Sequence, residues 1–196
     1  MKNPLHGDIQ MNNKMKVATT LLLLSFALLE APLVFGQQSA DRNIPDSVKA
    51  VFSGAETITL QHRDLSPADI TAIEKASATK WSGDKDVHVY LAIGTTQGKR
   101  AQLGAATVVE NVAGVGDLTI AYDNELKVTK VIAGRQSGDA TSPAFLGQFA
   151  GKGHDDPIKL GQDIRYSGTN RASATAITDA VRRVTATMQR LYGKAH

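Results

Sequence analysis

Strict alternation of apolar and other residues between Asp86 and Ile93 constrains the fold more than any other feature of the sequence. A period of two puts every second side chain on the same face, which is typical of a half-buried β-strand. The apolar set on one face consists of Val87, Val89, Leu91 and Ile93, which alternate with His88, Tyr90 and Ala92.

Three more strands are predicted downstream, at Ala105 to Asn111, Asp117 to Tyr122 and Lys127 to Ala133. Asp123-Asn124 lies between the last two and is typical of a hairpin turn. Successive strands joined by short connections predict an antiparallel β meander.

Helices are predicted on both sides of the meander. Ser66-Pro67-Ala68-Asp69 has the pattern of a capping box with proline at the first helical position, which predicts a helix from Pro67 to about Thr79. A long C-terminal helix ending near Gly193 is predicted from apolar residues at steps of three and four, opposite Arg182, Arg183 and Arg190. This apolar stripe consists of Ile177, Ala180, Val181, Val184, Met188 and Leu191. The expected fold class is therefore α+β: an antiparallel meander packed with a few helices, the longest of them C-terminal.

Residues 1–36 are predicted to be a signal peptide. Lys14 and Lys16 precede an apolar run from Val17 to Leu29, and cleavage is expected after Gly36. The run is shorter than the roughly 20 residues of a spanning helix, and a retained leader would instead anchor the chain. Both outcomes place the rest of the chain outside the cytoplasm, in the periplasm or secreted. Residues 37–65 are predicted to be a lead-in segment, with a short helix and a strand at Thr57 to Leu60, and residues 66–193 form the predicted domain.

Composition excludes several classes of function. The net charge is only +3 and the basic residues are scattered, so no nucleic-acid partner is expected. The absence of cysteine excludes disulfides, thiolate metal sites and iron–sulfur clusters. No metal site is predicted, because no metal-ligand spacing relates His62, His88, His154 and His196.

Polar residues from Ser167 to Ser173 directly precede the C-terminal helix. The run Ser-Gly-Thr-Asn-Arg-Ala-Ser offers hydroxyls, backbone N–H groups and the positive end of a helix dipole, all of which suit a phosphate. Serine, threonine and asparagine are also favoured here simply as N-caps. Both interpretations remain open on the sequence of this run.

Two motifs together carry a resemblance to a known family. The segment Ala144-Phe145-Leu146-Gly147-Gln148-Phe149-Ala150-Gly151-Lys152 and the later Ser-Gly-Thr-Asn run resemble the FMN-binding domain family. Its best-known members are the C subunit of the sodium-translocating NADH:quinone reductase and the G subunit of the Rnf complex. The resemblance covers about Val87 to Leu191.

This resemblance implies that FMN is the cofactor and that its phosphate lies at the start of the last helix. The implied binding residues there are Ser167, Gly168, Thr169, Asn170 and Ser173. Thr141 and Ser142 belong to an irregular stretch that is expected to form part of the site. Phe145 is expected either to cover the flavin ring or to pack in the core.

Covalent attachment depends on how the last motif is aligned. Many family members esterify a threonine of this motif to the FMN phosphate. Alignment on Ser167-Gly168 puts Asn170, which cannot form the ester, at the acceptor position, whereas alignment on Asp163 puts Thr169 there. The expected cofactor is thus FMN, covalent at Thr169 or else non-covalent. The run from Arg135 to Ala140 also replaces the family's usual Glu-Thr-Pro-Gly-Leu-Gly stretch.

The function implied is that of an exported FMN-binding electron carrier rather than an enzyme in its own right. It would transfer electrons between a membrane donor and an extracytoplasmic acceptor. Its expected partners are a membrane redox protein and a flavin transferase. Because of the two departures from the family pattern, a flavin-free relative acting as a binding or interaction module is the alternative.

Overall fold

Five β-strands form one antiparallel sheet in which the strands follow chain order. A computed structural model describes residues 44–136 and 138–193, and the predicted signal segment lies outside them. The predicted meander is confirmed, because each strand pairs with the next one along the chain. The strands are β1 Thr57–Asp64, β2 Asp86–Thr96, β3 Lys99–Val112, β4 Gly116–Tyr122 and β5 Val128–Ala133.

Two strands are longer than their local patterns predict. β3 begins six residues before the predicted Ala105, because Gln97 and Gly98 adopt φ values of 53° and 74° and turn the chain tightly out of β2. β1 continues past Leu60 to Asp64, where pairing with β2 orders residues that carry no apolar alternation. The sheet therefore begins before Ser66, within the segment predicted as a lead-in.

Within residues 44–136 and 138–193, four α-helices accompany the sheet: α1 Asp46–Val51, α2 Pro67–Ser77, α3 Pro143–Leu146 and α4 Arg171–Tyr192. α2 ends before the predicted Thr79 because Ala78 adopts a left-handed φ of 49°, which terminates the helix. One 3-10 turn, Gly138–Thr141, precedes α3, and another, Gly147–Phe149, follows it. From Gly138 onwards, the irregular stretch predicted before α3 thus consists of short helical turns.

The main hydrophobic core lies between α4 and one face of the sheet. α4 buries its stripe as predicted, with Ile177, Val181 and Met188 all fully buried. Burying each such side chain contributes about 1.5–3 kcal/mol, so this face is the chief source of helix stability. The opposite face carries a smaller cluster, in which Val48 of α1 packs with Tyr90. Among the described residues, no helix has the length and apolar character needed to cross a membrane.

Candidate functional site

The start of α4 is capped by its own polar run. Asn170 is the N-cap, and its Oδ1 accepts a hydrogen bond from the backbone N of Ser173 at 3.2 Å. The backbone N of Asn170 donates to the hydroxyl of Tyr166 at 3.0 Å. The Ser173 side chain is buried, and its Oγ would lie 2.2 Å from a Cβ placed on Gly114. Asn170 and Ser173 therefore hold the helix end in place.

Other donors at the same turn remain available. The backbone N–H groups of Arg171 and Ala172 lie in the first helical turn, which has no acceptor within the helix. Within the described parts of the chain, no group accepts from them, and no hydrogen bond involves the hydroxyls of Ser167 and Thr169. Ser167 and Thr169 are exposed. The turn thus presents two amides and two hydroxyls to solvent.

Gly168 is required by packing beside this turn. A Cβ at position 168 would lie 2.6 Å from the Tyr166 hydroxyl oxygen and 2.7 Å from the Cβ of Asp139. A Cβ atom essentially never makes contacts this short, so any larger residue would push the two neighbours apart. The same packing brings Asp139, an acidic residue, close to the predicted phosphate position.

The candidate residues after β5 have structural roles beside α4. The 3-10 turn that ends at Thr141 packs against α4, and Thr141 is buried, with its hydroxyl donating to the carbonyl of Gly138 at 3.1 Å. Ser142 is the N-cap of α3, and its Oγ accepts from the Phe145 backbone N at 3.3 Å. Phe145 is 3% exposed and packs edge-to-face against Phe149 and Tyr166. Phe145 therefore packs in the hydrophobic core.

A cleft of about 710 Å³ opens between the sheet and α4. β2 and β3 pair only as far as Val89 and Thr107, although β2 begins at Asp86 and β3 continues to Val112. The ends of β2 and β3 that do not pair with each other line the cleft, together with one side of α4. Its volume lies in the range of small-molecule sites, roughly 300–1,000 Å³.

The cleft has an apolar interior and a charged border. Val87, Val109, Ala176 and Val184 provide apolar surface, and Trp81 lies among the lining residues. Charged groups of both signs are present, and they include Asp86, Asp179 and Arg183. Burial lowers the pKa of Arg183, with Asp179 acting in the opposite direction. The guanidinium still carries its charge at neutral pH, because its ordinary pKa is so high.

One end of the cleft lies near the start of α4, although no residue of the first helical turn lines it. Ala113 and Ala176 both line it. Ala113 is adjacent in sequence to Gly114, which packs against Ser173, and Ala176 is one helical turn beyond Ser173. A ligand with an anionic group at the helix start could therefore extend its remainder into the cleft. None of the eight residues predicted for the flavin site lines the cleft itself.

The structure also brings together three residues that sequence spacing did not connect. His62, Asp86 and His88 meet on neighbouring strands, and Asp86 and His88 line the cleft. Part of this group could have been found from the sequence, because Asp86 and His88 are two residues apart on a predicted strand and therefore share a face. The position of His62 opposite them depends on strand register.

Comparison with known proteins reveals no relative, since no protein-family model matches the chain and no curated protein does so either.

Proposed function

We propose that this protein is an exported FMN-binding protein that carries electrons between a membrane donor and an extracytoplasmic acceptor. The main observation in its support is the cleft of about 710 Å³ near the start of α4, which α4 lines from Ala176, in its second turn, onwards. A phosphate-bearing ring system needs both features next to each other: donors for the phosphate and an apolar space for the rings. The resemblance in the last two motifs supplies the identity of the cofactor.

The residues at the turn fit a phosphate in part. The amides of Arg171 and Ala172 would donate to it, and the positive end of the α4 dipole would favour its charge. The exposed hydroxyls of Ser167 and Thr169 would add further bonds. Asn170 and Ser173 would hold the turn, not the phosphate, because they are already bonded to each other.

Of the two alignments, the geometry favours Thr169 as the attachment residue. Its hydroxyl is exposed and free of protein partners in the described chain, whereas the Asn170 side chain is engaged as the N-cap. FMN supplies the electron-transfer chemistry when it is bound. The chain itself would bind the phosphate, cover one side of the rings and keep water away from them along the apolar wall formed by Val109, Ala176 and Val184.

The first experiment is a visible absorption spectrum of full-length protein produced together with a flavin transferase and purified from the exported fraction. We expect the absorption of oxidised flavin. Ala176→Leu should reduce the flavin content because the larger side chain enters the cleft, whereas Thr175→Leu, on the exposed neighbouring position, should leave it unchanged. Colourless protein that also fails to bind added FMN would overturn the proposal.

Mass spectrometry of the same protein tests the attachment residue. We expect an FMN-sized mass increment on the peptide that contains Thr169, and its loss in Thr169→Ala. Because the Thr169 side chain is exposed and has no described hydrogen bond, the variant should change the free energy of unfolding by less than about 0.5 kcal/mol. Asn170→Ala should retain the increment. Flavin that binds without a mass increment would show non-covalent binding and leave the carrier proposal standing.

A flavin-free binding module is the second candidate. The close approach of Asp139 to Gly168 favours it, since a carboxylate beside the turn would repel a phosphate. In that case the cleft would accept a ligand without an anionic group. Protein that stays colourless in the spectrum above, yet is stabilised against heat by a neutral ligand from a small-molecule library, would support this alternative.

A further inference from the structure

The register of β1 and β2 places two histidines and an aspartate on one face of the sheet. His62 is directly opposite His88, and Asp86 precedes His88 by two residues. Residues two apart on a strand share a face, and directly paired residues on neighbouring strands share it too. Two regular strands thus present the three side chains together, which gives the group a rigid backbone support.

The possible ligand atoms already lie close together. The Nδ1 of His62 is 2.8 Å from the Oδ2 of Asp86, and the Nε2 of His88 is 3.2 Å from the same oxygen. The two rings meet edge to face with centroids 4.6 Å apart. Ligands that share an ion at about 2.0–2.2 Å are separated from one another by roughly 3.4 Å in a tetrahedral site. A small rotation of the side chains would bring the three groups to that geometry.

The carboxylate of Asp86 has unused capacity. Its Oδ1 is buried and has no hydrogen-bond partner among the described residues, an unfavourable state for a charged oxygen. The Asp86 carboxylate can therefore accept a further partner.

We propose that His62, Asp86 and His88 bind a divalent transition-metal ion of the Zn²⁺ type at the border of the cleft. Two imidazoles and one carboxylate suit Zn²⁺, Cu²⁺ or Ni²⁺, whereas Mg²⁺ and Ca²⁺ prefer oxygen ligands throughout. An ion would supply a partner for the Asp86 carboxylate. Three protein ligands leave a fourth position for water or for a ligand in the cleft.

This proposal does not depend on flavin binding. The three residues lie on β1 and β2, whereas the proposed phosphate site lies at the start of α4. Colourless protein could still bind the metal, and yellow protein could fail to do so. The two proposals are therefore distinguished by separate measurements.

The test is a calorimetric titration of Zn²⁺ into full-length exported protein that carries no polyhistidine tag and has been treated with a chelator. We expect one ion per chain. His62→Ala and His88→Ala should each weaken binding at least about tenfold, since even the outer-shell partners of metal ligands contribute 10–100-fold. His154→Ala is the matched control, because His154 is also exposed and paired with an aspartate, Asp155, at 3.1 Å. It should leave the affinity unchanged.

Histidine NMR signals of the unsubstituted protein provide a measurement that does not depend on how the variants fold. Added Zn²⁺ should shift the imidazole signals of His62 and His88 and leave those of His154 in place. The proposal is overturned if no ion binds, if all three histidines shift alike, or if the double variant His62→Gln/His88→Gln binds Zn²⁺ as well as the unsubstituted protein.

Discussion

The first turns of α2 and α4 begin with the same class of polar residue, but they are completed in different ways. At α2, the Oγ of Ser66 accepts from the Asp69 backbone N at 3.2 Å, and the Oδ2 of Asp69 accepts from the Ser66 backbone N at 3.1 Å. Arg190 of α4 also donates to the Oδ1 of Asp69 at 2.6 Å. At α4, the side-chain cap is the hydrogen bond that the Oδ1 of Asn170 accepts from the Ser173 backbone N.

The two helix starts also differ in charge, and this difference determines how each would interact with an anion. Asp69 places a carboxylate inside the first turn of α2, where it neutralises the helix dipole and would repel an anion. The first turn of α4 contains no acidic residue, and two of its amides have no described acceptor. A helix start that is closed by a capping box and a carboxylate contributes stability, whereas one with two amides that have no described acceptor can also bind a ligand.

The largest effect is expected at Gly168, where the α4 turn is held by packing. Gly168→Ala should lower the free energy of unfolding by about 1–3 kcal/mol, because the added methyl overlaps Tyr166 and Asp139. Gly147→Ala is the control, since its φ of −65° suits alanine and its Cβ would meet open space. Chemical denaturation of both variants measures the difference. Equal stability of the two would mean that the loop before α4 is not tightly packed.

The next largest loss of stability is expected at the capping box that starts α2. Ser66→Ala should cost about 1 kcal/mol of unfolding free energy, because the capping box of α2 loses the side chain that bonds to Asp69. Ser53→Ala, at an exposed turn residue with no described hydrogen bond, should change little. Denaturant unfolding again provides the measurement. A Ser53 variant as unstable as the Ser66 variant would contradict the capping account.

Acid should remove the stabilisation that Asp69 contributes at the start of α2. Hydrogen bonds from Ser66 and Arg190 lower the pKa of Asp69 to about 2. The unfolded carboxyl titrates near its usual value of about 3.9, so the stabilisation is complete above that pH and is lost as the pH falls towards 2. We therefore expect the melting temperature of Asp69→Asn to lie below that of the unsubstituted protein at pH 7. The gap should close between about pH 4 and pH 2, and a gap that is constant with pH would exclude this origin.

The smallest change in stability is expected for Asn170→Asp at the start of α4. This variant distinguishes helix capping from anion binding. Asn170→Asp keeps the capping oxygen and adds a charge that the helix dipole favours, so stability should rise by about 0.3–1 kcal/mol. The same charge should weaken FMN binding by repelling its phosphate. Thermal unfolding and FMN titration of one protein sample measure the two effects. Unchanged FMN affinity in this variant would place the phosphate elsewhere.

The fold was largely predictable because its signals are local. Period-two alternation identified β2, and apolar residues at steps of three and four identified α4, since each pattern reflects burial of one face of a single element. The capping box of α2 was predicted from four consecutive residues and is present as expected. The ends of β1 and β3 were missed because pairing across the sheet, rather than local alternation, determines where a strand stops.

The polar run before α4 was recognised from the sequence, but its division of roles was not. Asn170, Ser173 and Gly168 are occupied in holding the turn, whereas Ser167 and Thr169 are exposed. All five are small or polar and look equivalent along the chain. Their roles differ because Tyr166, Gly114 and Asp139, from three separate parts of the chain, pack against some of them and not others.

The sequence by itself determined that β2 is a strand and that α4 is a helix with one apolar stripe, because each pattern depends on neighbours within one element. Only the tertiary structure decided where pairing between β2 and β3 stops, and with it the position of the cleft. It also decided that His62 lies opposite His88, 26 residues further along the chain. Strand register depends on the balance of many distant contacts, and no short pattern of residues contains that information.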